Sequence, residues 1–150
     1  MSKALDMADL IRNRILTAPA ISEMATTVDL TSIEVIIDRQ TPVISLIQAA
    51  IAKATGTAIV ILWQGFQVPD ANSSRPRLAH RYTITVYSRQ VIDGTSRPAD
   101  NVIESIVARL WHWLPLGGHA HGEAQVLSGD MVPDKSYLIY DCEVVIPVSL

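Results

Sequence analysis

Cysteine, long apolar runs and secretion signals are scarce or absent in this sequence of 150 residues. Its single cysteine, Cys142, cannot form an internal disulfide, so a reducing compartment is the simplest setting for the protein. The longest apolar run, Ala58–Trp63, is far too short to cross a bilayer. Because no apolar segment follows Met1–Asp6, we expect no signal peptide and a protein that is cytoplasmic at the point of synthesis.

Charged residues are also scarce, and the basic residues do not outnumber the acidic ones. Charged residues make up 18% of the chain and the formal net charge is −3, so the sequence lacks the basic footprint of a general nucleic-acid-binding protein. Apolar residues make up 49% of the chain, and the mean hydropathy is +0.25. A chain of this length buries a real core. Its apolar balance also predicts that some apolar surface lies in contacts between subunits.

Recognised catalytic motifs are absent as well. The sequence has no Gly-x-Ser-x-Gly elbow and no glycine-rich loop that opens a helix to bind phosphate. His119 and His121 lie in a glycine-rich segment, where two imidazoles can share a metal, but no further ligand falls at a zinc spacing. Asp141 and Glu143 share one face of a strand, which is either an acid/base pair or a solvated outer face. We favour the solvated alternatives, and therefore expect no enzyme, no metal and no cofactor.

Two segments show the alternation of apolar and polar residues that is typical of strands with one buried face. The first, Arg81–Arg89, turns Tyr82, Ile84 and Val86 to one side and polar residues to the other. The second, Tyr137–Leu150, alternates in the same way over a greater length. Both strands offer an accessible face of Thr, Tyr, Arg and acidic side chains, which suits contact with another protein rather than catalysis.

Other patterns predict helices, further strands and one long loop. Hydrophobic periodicity, capping residues and turn formers delimit these elements. They are a helix at Ser2–Thr17, a strand at Ile33–Ile37, a helix at Pro42–Ala54, a strand at Thr57–Trp63, a loop at Gln64–Arg77, a helix at Pro98–Leu114 and a short strand at Gln125–Met131. The order predicts a single α+β domain over residues 1–150, with helices packed on one face of a mostly antiparallel sheet. Residues 1–32 hold the N-terminal helix and a less periodic connection.

The long loop and the two alternating strands hold the residues that we expect to contact a subunit or partner. Loops of this length are commonly functional, and this one carries an exposed-looking aromatic residue and two arginines. Basic residues are concentrated in and after the loop, whereas acidic residues dominate the end of the chain. Opposite charges either pair between neighbouring strands of one chain or meet between subunits, where a repeated contact closes a ring. The candidate interface residues are Phe66, Arg75, Arg77, Arg81, Arg89, Asp141 and Glu143.

The order and size of the elements, with the run His80–Ser88 and the tryptophan-containing helix Pro98–Leu114, resemble the tail terminator, or tail-completion, proteins of long-tailed bacteriophages. The resemblance is one of architecture and covers nearly the whole chain. It implies a structural virion protein that assembles in the host cytoplasm into a hexameric ring. Such a ring caps the tail tube, ends its polymerisation and joins it to the head connector, with DNA passing through the lumen. The implied partners are the tail-tube protein, the head–tail connector proteins and further copies of the chain.

Three other functions remain open from the sequence. A different phage neck or head–tail connector protein is the first, because residues 1–32 match the tail terminator architecture least well. A small-ligand-binding α+β domain is the second, and would be isolated as a monomer or dimer with its ligand retained. A metal hydrolase that uses His119 and His121 is the third, and would be isolated with stoichiometric zinc.

Overall fold

The computed structural model of the chain describes residues 3–17, 30, 33–38, 43–53, 56–68, 78–89, 99–117, 120, 122–133 and 137–148. Within these residues it contains three helices and six strands: α1 (Lys3–Thr17), α2 (Ile44–Ile51), α3 (Ala99–Leu110), β1 (Glu34–Ile37), β2 (Thr57–Gln67), β3 (Leu78–Arg89), β4 (Gln125–Val126), β5 (Met131–Pro133) and β6 (Tyr137–Val148). The predicted α+β class is confirmed. The predicted helix ends Pro42, Ala54 and Pro98 lie outside the described residues. None of the described helices is long and apolar enough to span a membrane.

The six strands belong to one sheet. Its order is β1-β2-β3-β6-β4, and β5 pairs with β6 beyond the end of β4. β1 and β2 are parallel, and the other pairings among the described strands are antiparallel. The longest pairing joins β3 to β6 along the whole of both strands, from Leu78 opposite Val148 to Arg89 opposite Tyr137. The two segments with the most regular alternation are therefore adjacent strands inside the sheet.

The main core lies between one face of the sheet and the helices α1 and α3. Tyr82, Ile84 and Val86 of β3 are fully buried there, as their alternation predicts. The Tyr82 hydroxyl donates a hydrogen bond to the Ala4 carbonyl oxygen of α1 at 2.7 Å. Burial raises the pKa of Tyr82 far above its ordinary value, which keeps the hydroxyl protonated as this donor. The bond fixes α1 on the sheet and satisfies a buried polar group.

Helix α2 lies on the opposite face of the sheet from α1 and α3. There Ile47 packs with Ile36 of β1 and Val60 of β2. Parallel strands cannot be joined by a hairpin and need a crossover connection, which α2 provides between β1 and β2. The prediction of helices on one face therefore describes α1 and α3, whereas the crossover helix covers the other face.

Helix α3 ends at Leu110, before its predicted end at Leu114. The reason is His112, whose φ of 53° is a left-handed conformation that a continuing α-helix does not contain. The chain turns there, so Trp113 packs against the main core while Trp111 and Leu114 are exposed. The apolar spacing of the predicted helix includes Leu114 in its buried stripe, and the exposure of Leu114 shows that this part of the prediction is wrong.

Strand β2 continues past its predicted end at Trp63, with a bulge on the way. Trp63 lies opposite Tyr82 and Phe66 lies opposite His80, so β2 has one more residue than β3 over this stretch. Gly65 within the bulge has a φ of 98°, a conformation that favours glycine. The first residues of the predicted loop are therefore strand.

A second bulge interrupts the outer edge of the sheet, where the sequence predicted a single strand at Gln125–Met131. β4 and β5 pair with different parts of β6, and their registers differ by one residue. Gly129 lies between them. A side chain at Gly129 would collide with the Asp141 carbonyl oxygen and would meet the Cα of Cys142 at 3.2 Å. The close approach of two backbones thus requires glycine at this position.

We expect Gly129→Ala to lower the free energy of unfolding by about 1–3 kcal/mol, because the new methyl group forces a backbone shift. Denaturant unfolding followed by circular dichroism measures the loss. Gly122→Ala is the matched control, since a Cβ there would meet only the side chain of Pro147, at 3.4 Å, and should change stability little. Equal stability of Gly129→Ala and the unaltered protein would contradict the close approach of the two strands.

Candidate interaction surfaces

The predicted charged interface residues of β3 and β6 lie on the sheet face opposite the main core. Arg81, Arg89, Asp141 and Glu143 alternate there with buried residues, and each is partly exposed. The Arg81 Nε donates to Glu143 Oε1 at 2.8 Å, and these side chains are 39% and 31% exposed. Asp141 Oδ1 accepts a hydrogen bond from the backbone N–H of Asp130 at 2.9 Å. The charge distribution left open whether opposite charges pair within one chain or between subunits. Arg81 and Glu143 pair within the chain.

Cys142 lies between these outward-facing residues and points into the main core. Burial, and to a smaller extent the charge of Asp141, raise the pKa of its thiol to about 12. The thiol is therefore protonated at neutral pH and behaves as a small apolar group, which agrees with the buried position that strand alternation predicts.

Four of the residues that the sequence singled out, Arg75, Arg77, His119 and His121, lie outside the described residues. Their roles in a contact or a metal site stay predictions. In the part of the chain that the structure describes, no three His, Cys, Asp or Glu side chains form a group that could hold a metal ion.

The first exposed apolar surface, which we name the hairpin patch, consists of Trp63, Phe66 and Val68. Their side chains are 42%, 58% and 49% exposed. The bulge in β2 creates it, because Trp63 and Phe66 lie opposite Tyr82 and His80, which are two residues apart and share one face of β3. Without the extra residue, Phe66 would face the other side of the sheet. Phe66 is thus exposed as predicted, although on a strand rather than in a loop.

The buried His80 is hydrogen-bonded to Trp63 of the hairpin patch. It is 7% exposed, and its Nδ1 accepts a hydrogen bond from the indole N–H of Trp63 at 3.0 Å. Because the indole nitrogen only donates, Nδ1 carries no proton, and a neutral ring holds its proton on Nε2. Burial lowers the pKa of His80, and the charge of Lys3 lowers it further. Neutral His80 therefore fixes the orientation of an exposed tryptophan. This pair was not predicted from the sequence, where its only signal is the glycine of the bulge.

The second exposed apolar surface, which we name the edge groove, is a cavity of about 380 Å³ between α3 and the bulged edge of the sheet. Trp111, Leu127 and Met131 around it are 57%, 54% and 50% exposed. Asp130, which is exposed, also lines the groove and adds a negative charge to it. The apolar side chains that line it are those of Ile103, Val107, Trp111, Val126, Leu127, Met131 and Tyr140. The groove was not predicted from the sequence, because it combines residues of α3 with residues of the bulged edge.

The hairpin patch and the edge groove lie at opposite corners of the sheet. The hairpin patch is level with His80 of β3, and the groove, at Met131, is level with Val86 of β3. The path from β2 to β5 crosses three strand spacings, and His80 and Val86 are six residues apart. The surfaces are therefore separated by roughly 14 Å across the strands and roughly 20 Å along them. Neither can cover the other within one chain.

Neither the models of known protein families nor the sequences of curated proteins match this chain. Function must therefore be inferred from the chemistry of the surfaces. Exposed apolar patches rimmed by polar residues are typical of binding sites. Here one patch projects from a hairpin and the other is a groove, so the arrangement is suited to contacts with other macromolecules.

The contact between Trp63 and His80 predicts a pH dependence of stability. His80 has an ordinary pKa of 6.5, and its pKa in the fold is lower, so the unfolded chain takes up a proton first as the pH falls. The stabilisation is complete above pH 6.5 and is lost as the pH falls through the lower pKa of the folded state. We expect the free energy of unfolding to fall more between about pH 7.5 and about pH 5 in the unaltered protein than in His80→Gln. Denaturant titrations at each pH measure this, and parallel curves for the two proteins would contradict it.

The ion pair between Arg81 and Glu143 should contribute to folding and not to subunit contact. Both side chains are partly exposed, so we expect a coupling of about 0.2–1 kcal/mol in a double-mutant cycle of Arg81→Gln and Glu143→Gln. Salt should weaken the coupling because it screens exposed charges. The cycle is measured by denaturant unfolding and, in parallel, by sedimentation. A coupling seen in subunit association but not in unfolding would place the pair between chains instead.

Proposed function

We propose that this protein is a structural component of a phage virion that forms a hexameric ring on the end of the tail tube. The ring ends polymerisation of the tube and provides the surface that joins it to the head connector. Its partners are the tail-tube protein and the connector proteins, and its assembly takes place in the host cytoplasm. The architectural resemblance to tail terminator proteins supports this proposal.

The observation that carries the proposal is the pair of exposed apolar surfaces at opposite corners of one small domain. A two-fold dimer uses the same patch on both subunits, and would leave the second surface uncovered. A contact between two different patches is heterologous, and repeated contacts of this kind close a ring when the rotation between copies allows it. Two unlike surfaces therefore favour a ring over a dimer.

The face of β3 and β6 that points away from the main core is the candidate surface for the other partners. Thr83, Thr85, Arg89 and Asp141 are partly exposed there, and a sheet face of polar side chains suits a contact that forms after the ring. The net charge of −3 gives the protein little attraction for phosphates. Such a balance suits a lumen through which DNA passes without being held.

A small-ligand-binding domain is a second candidate function, because the edge groove has a specific feature in its favour. Its volume of about 380 Å³ lies within the range of small-molecule sites, which are also mostly apolar with a few polar groups. Native mass spectrometry separates the two functions. A monomer or dimer that retains a bound small molecule would favour the ligand-binding domain, and an oligomer of unliganded chains would favour the ring.

We expect the purified protein to form a closed hexamer in native mass spectrometry, seen as a ring by negative-stain electron microscopy. The test adds the purified protein to polymerising tail-tube protein from a neighbouring gene. The tubes should become shorter in proportion to the amount of protein added, because each ring removes one growing end. An unrelated protein of similar charge is the control. A protein that leaves tube length unchanged and does not bind tube ends would contradict the proposed function.

A further inference from the structure

We propose that the hairpin patch of one copy inserts into the edge groove of the next copy, and that this contact holds the ring. The inference rests on the proposed function for the ring, and adds which surfaces of the chain meet. The occupant of the groove is thus a second copy of the same chain. Both surfaces are apolar. They differ in shape and in charge, as the two complementary sides of one contact must.

The first difference is shape. Phe66 lies beyond the bulge of β2 and is 58% exposed. The orientation of Trp63 in the same patch is fixed by its hydrogen bond to His80. The groove instead is concave, with a volume of about 380 Å³ between α3 and β5. Aromatic residues that enter a desolvated pocket contribute most of the energy of many interfaces. Met131 and Leu127 in the groove are flexible apolar side chains that can adapt to an inserted aromatic side chain.

The second difference is charge. Lys3, at the start of α1, is exposed and close enough to the hairpin patch for its charge to lower the pKa of His80. The groove is lined in part by Asp130. Asp130 is exposed, and among the described residues its carboxylate forms no ion pair. A positive charge beside one surface and a negative charge beside the other orient the contact and oppose contacts between like surfaces.

The bulged edge also decides the mode of contact. A continuous free strand would invite another copy to add a strand by backbone pairing. The bulge around Gly129 bends the edge formed by β4 and β5 and breaks its register, which makes strand addition unfavourable. The mode of contact that remains available to this edge is insertion of side chains into the groove. Because the surfaces lie at opposite corners, each copy that inserts its hairpin patch still offers an empty groove, so the contact repeats until the ring closes.

The test uses the full chain and two variants that each remove one half of the contact. Phe66→Asp spoils the hairpin patch and leaves the groove intact, whereas Met131→Asp spoils the groove and leaves the hairpin patch intact. Each variant alone should sediment as a monomer. An equimolar mixture should sediment as a dimer and no further, because one intact patch meets one intact groove. Ile44→Asp is the matched control, since Ile44 is 69% exposed on α2, away from both surfaces, and should leave the oligomer unchanged.

Circular dichroism shows whether each variant is folded, and a charge exchange provides a second route if one is not. Lys3→Glu and Asp130→Lys should each weaken the oligomer, and the double variant should restore it in part. An oligomer that survives both Phe66→Asp and Met131→Asp would overturn the proposed contact, as would folded variants whose mixture stays monomeric. Either result leaves the tube-length assay of the unaltered protein to decide the proposed function separately. If the contact is present but the rings do not stop tube growth, the contact stands and the function fails.

Discussion

The antiparallel pairing of β3 with β6 is the constraint on which the rest of the structure depends. It runs along the whole of both strands, and β2 is attached to one side of it while β4 and β5 are attached to the other. Because side chains alternate strictly along this pair, one face buries Tyr82 and Val144 while the other presents Arg81 and Glu143. A slip of one residue would exchange these faces, so the core and the charged face are specified together.

Departures from this regularity occur on both sides of the central pair, and both involve glycine. The bulge at Gly65 brings Phe66 to the same face as Trp63, and the bulge at Gly129 shifts the register of the outer edge against β6. Regular strands in these places would give an ordinary half-buried sheet without either apolar surface. Bulges are common at sheet edges and at functional sites, where they redirect side chains. In this protein they separate a regularly paired centre of the sheet from two corners that differ from each other.

The sequence predicts most of the fold because periodicity reports burial directly. The alternation of Arg81–Arg89 and the stripe of α3 each record one buried face, and both elements lie where their patterns place them. The periodicity of α2 shows an apolar face but not which side of the sheet it covers, since that depends on the parallel pairing of β1 and β2. The end of α3 depends on the backbone angle of His112, which residue type alone does not determine. The exposed surfaces were the hardest to predict, because each depends on a change of register between neighbouring strands. Phe66 was identified as a candidate contact residue, but the hydrogen bond between Trp63 and the buried His80 was not predicted.

The hydrogen bond between Trp63 and His80 also limits what the hairpin patch can recognise. Tryptophan has one hydrogen-bonding group, and that group is already used inside the chain. What remains for a partner is the flat, polarisable indole surface, which has no directional demand. A contact built on such a surface tolerates exchange of one apolar residue for another on the opposite side. The two sides of the contact could therefore drift in sequence while the association persisted, and related proteins could keep the same architecture with few residues in common.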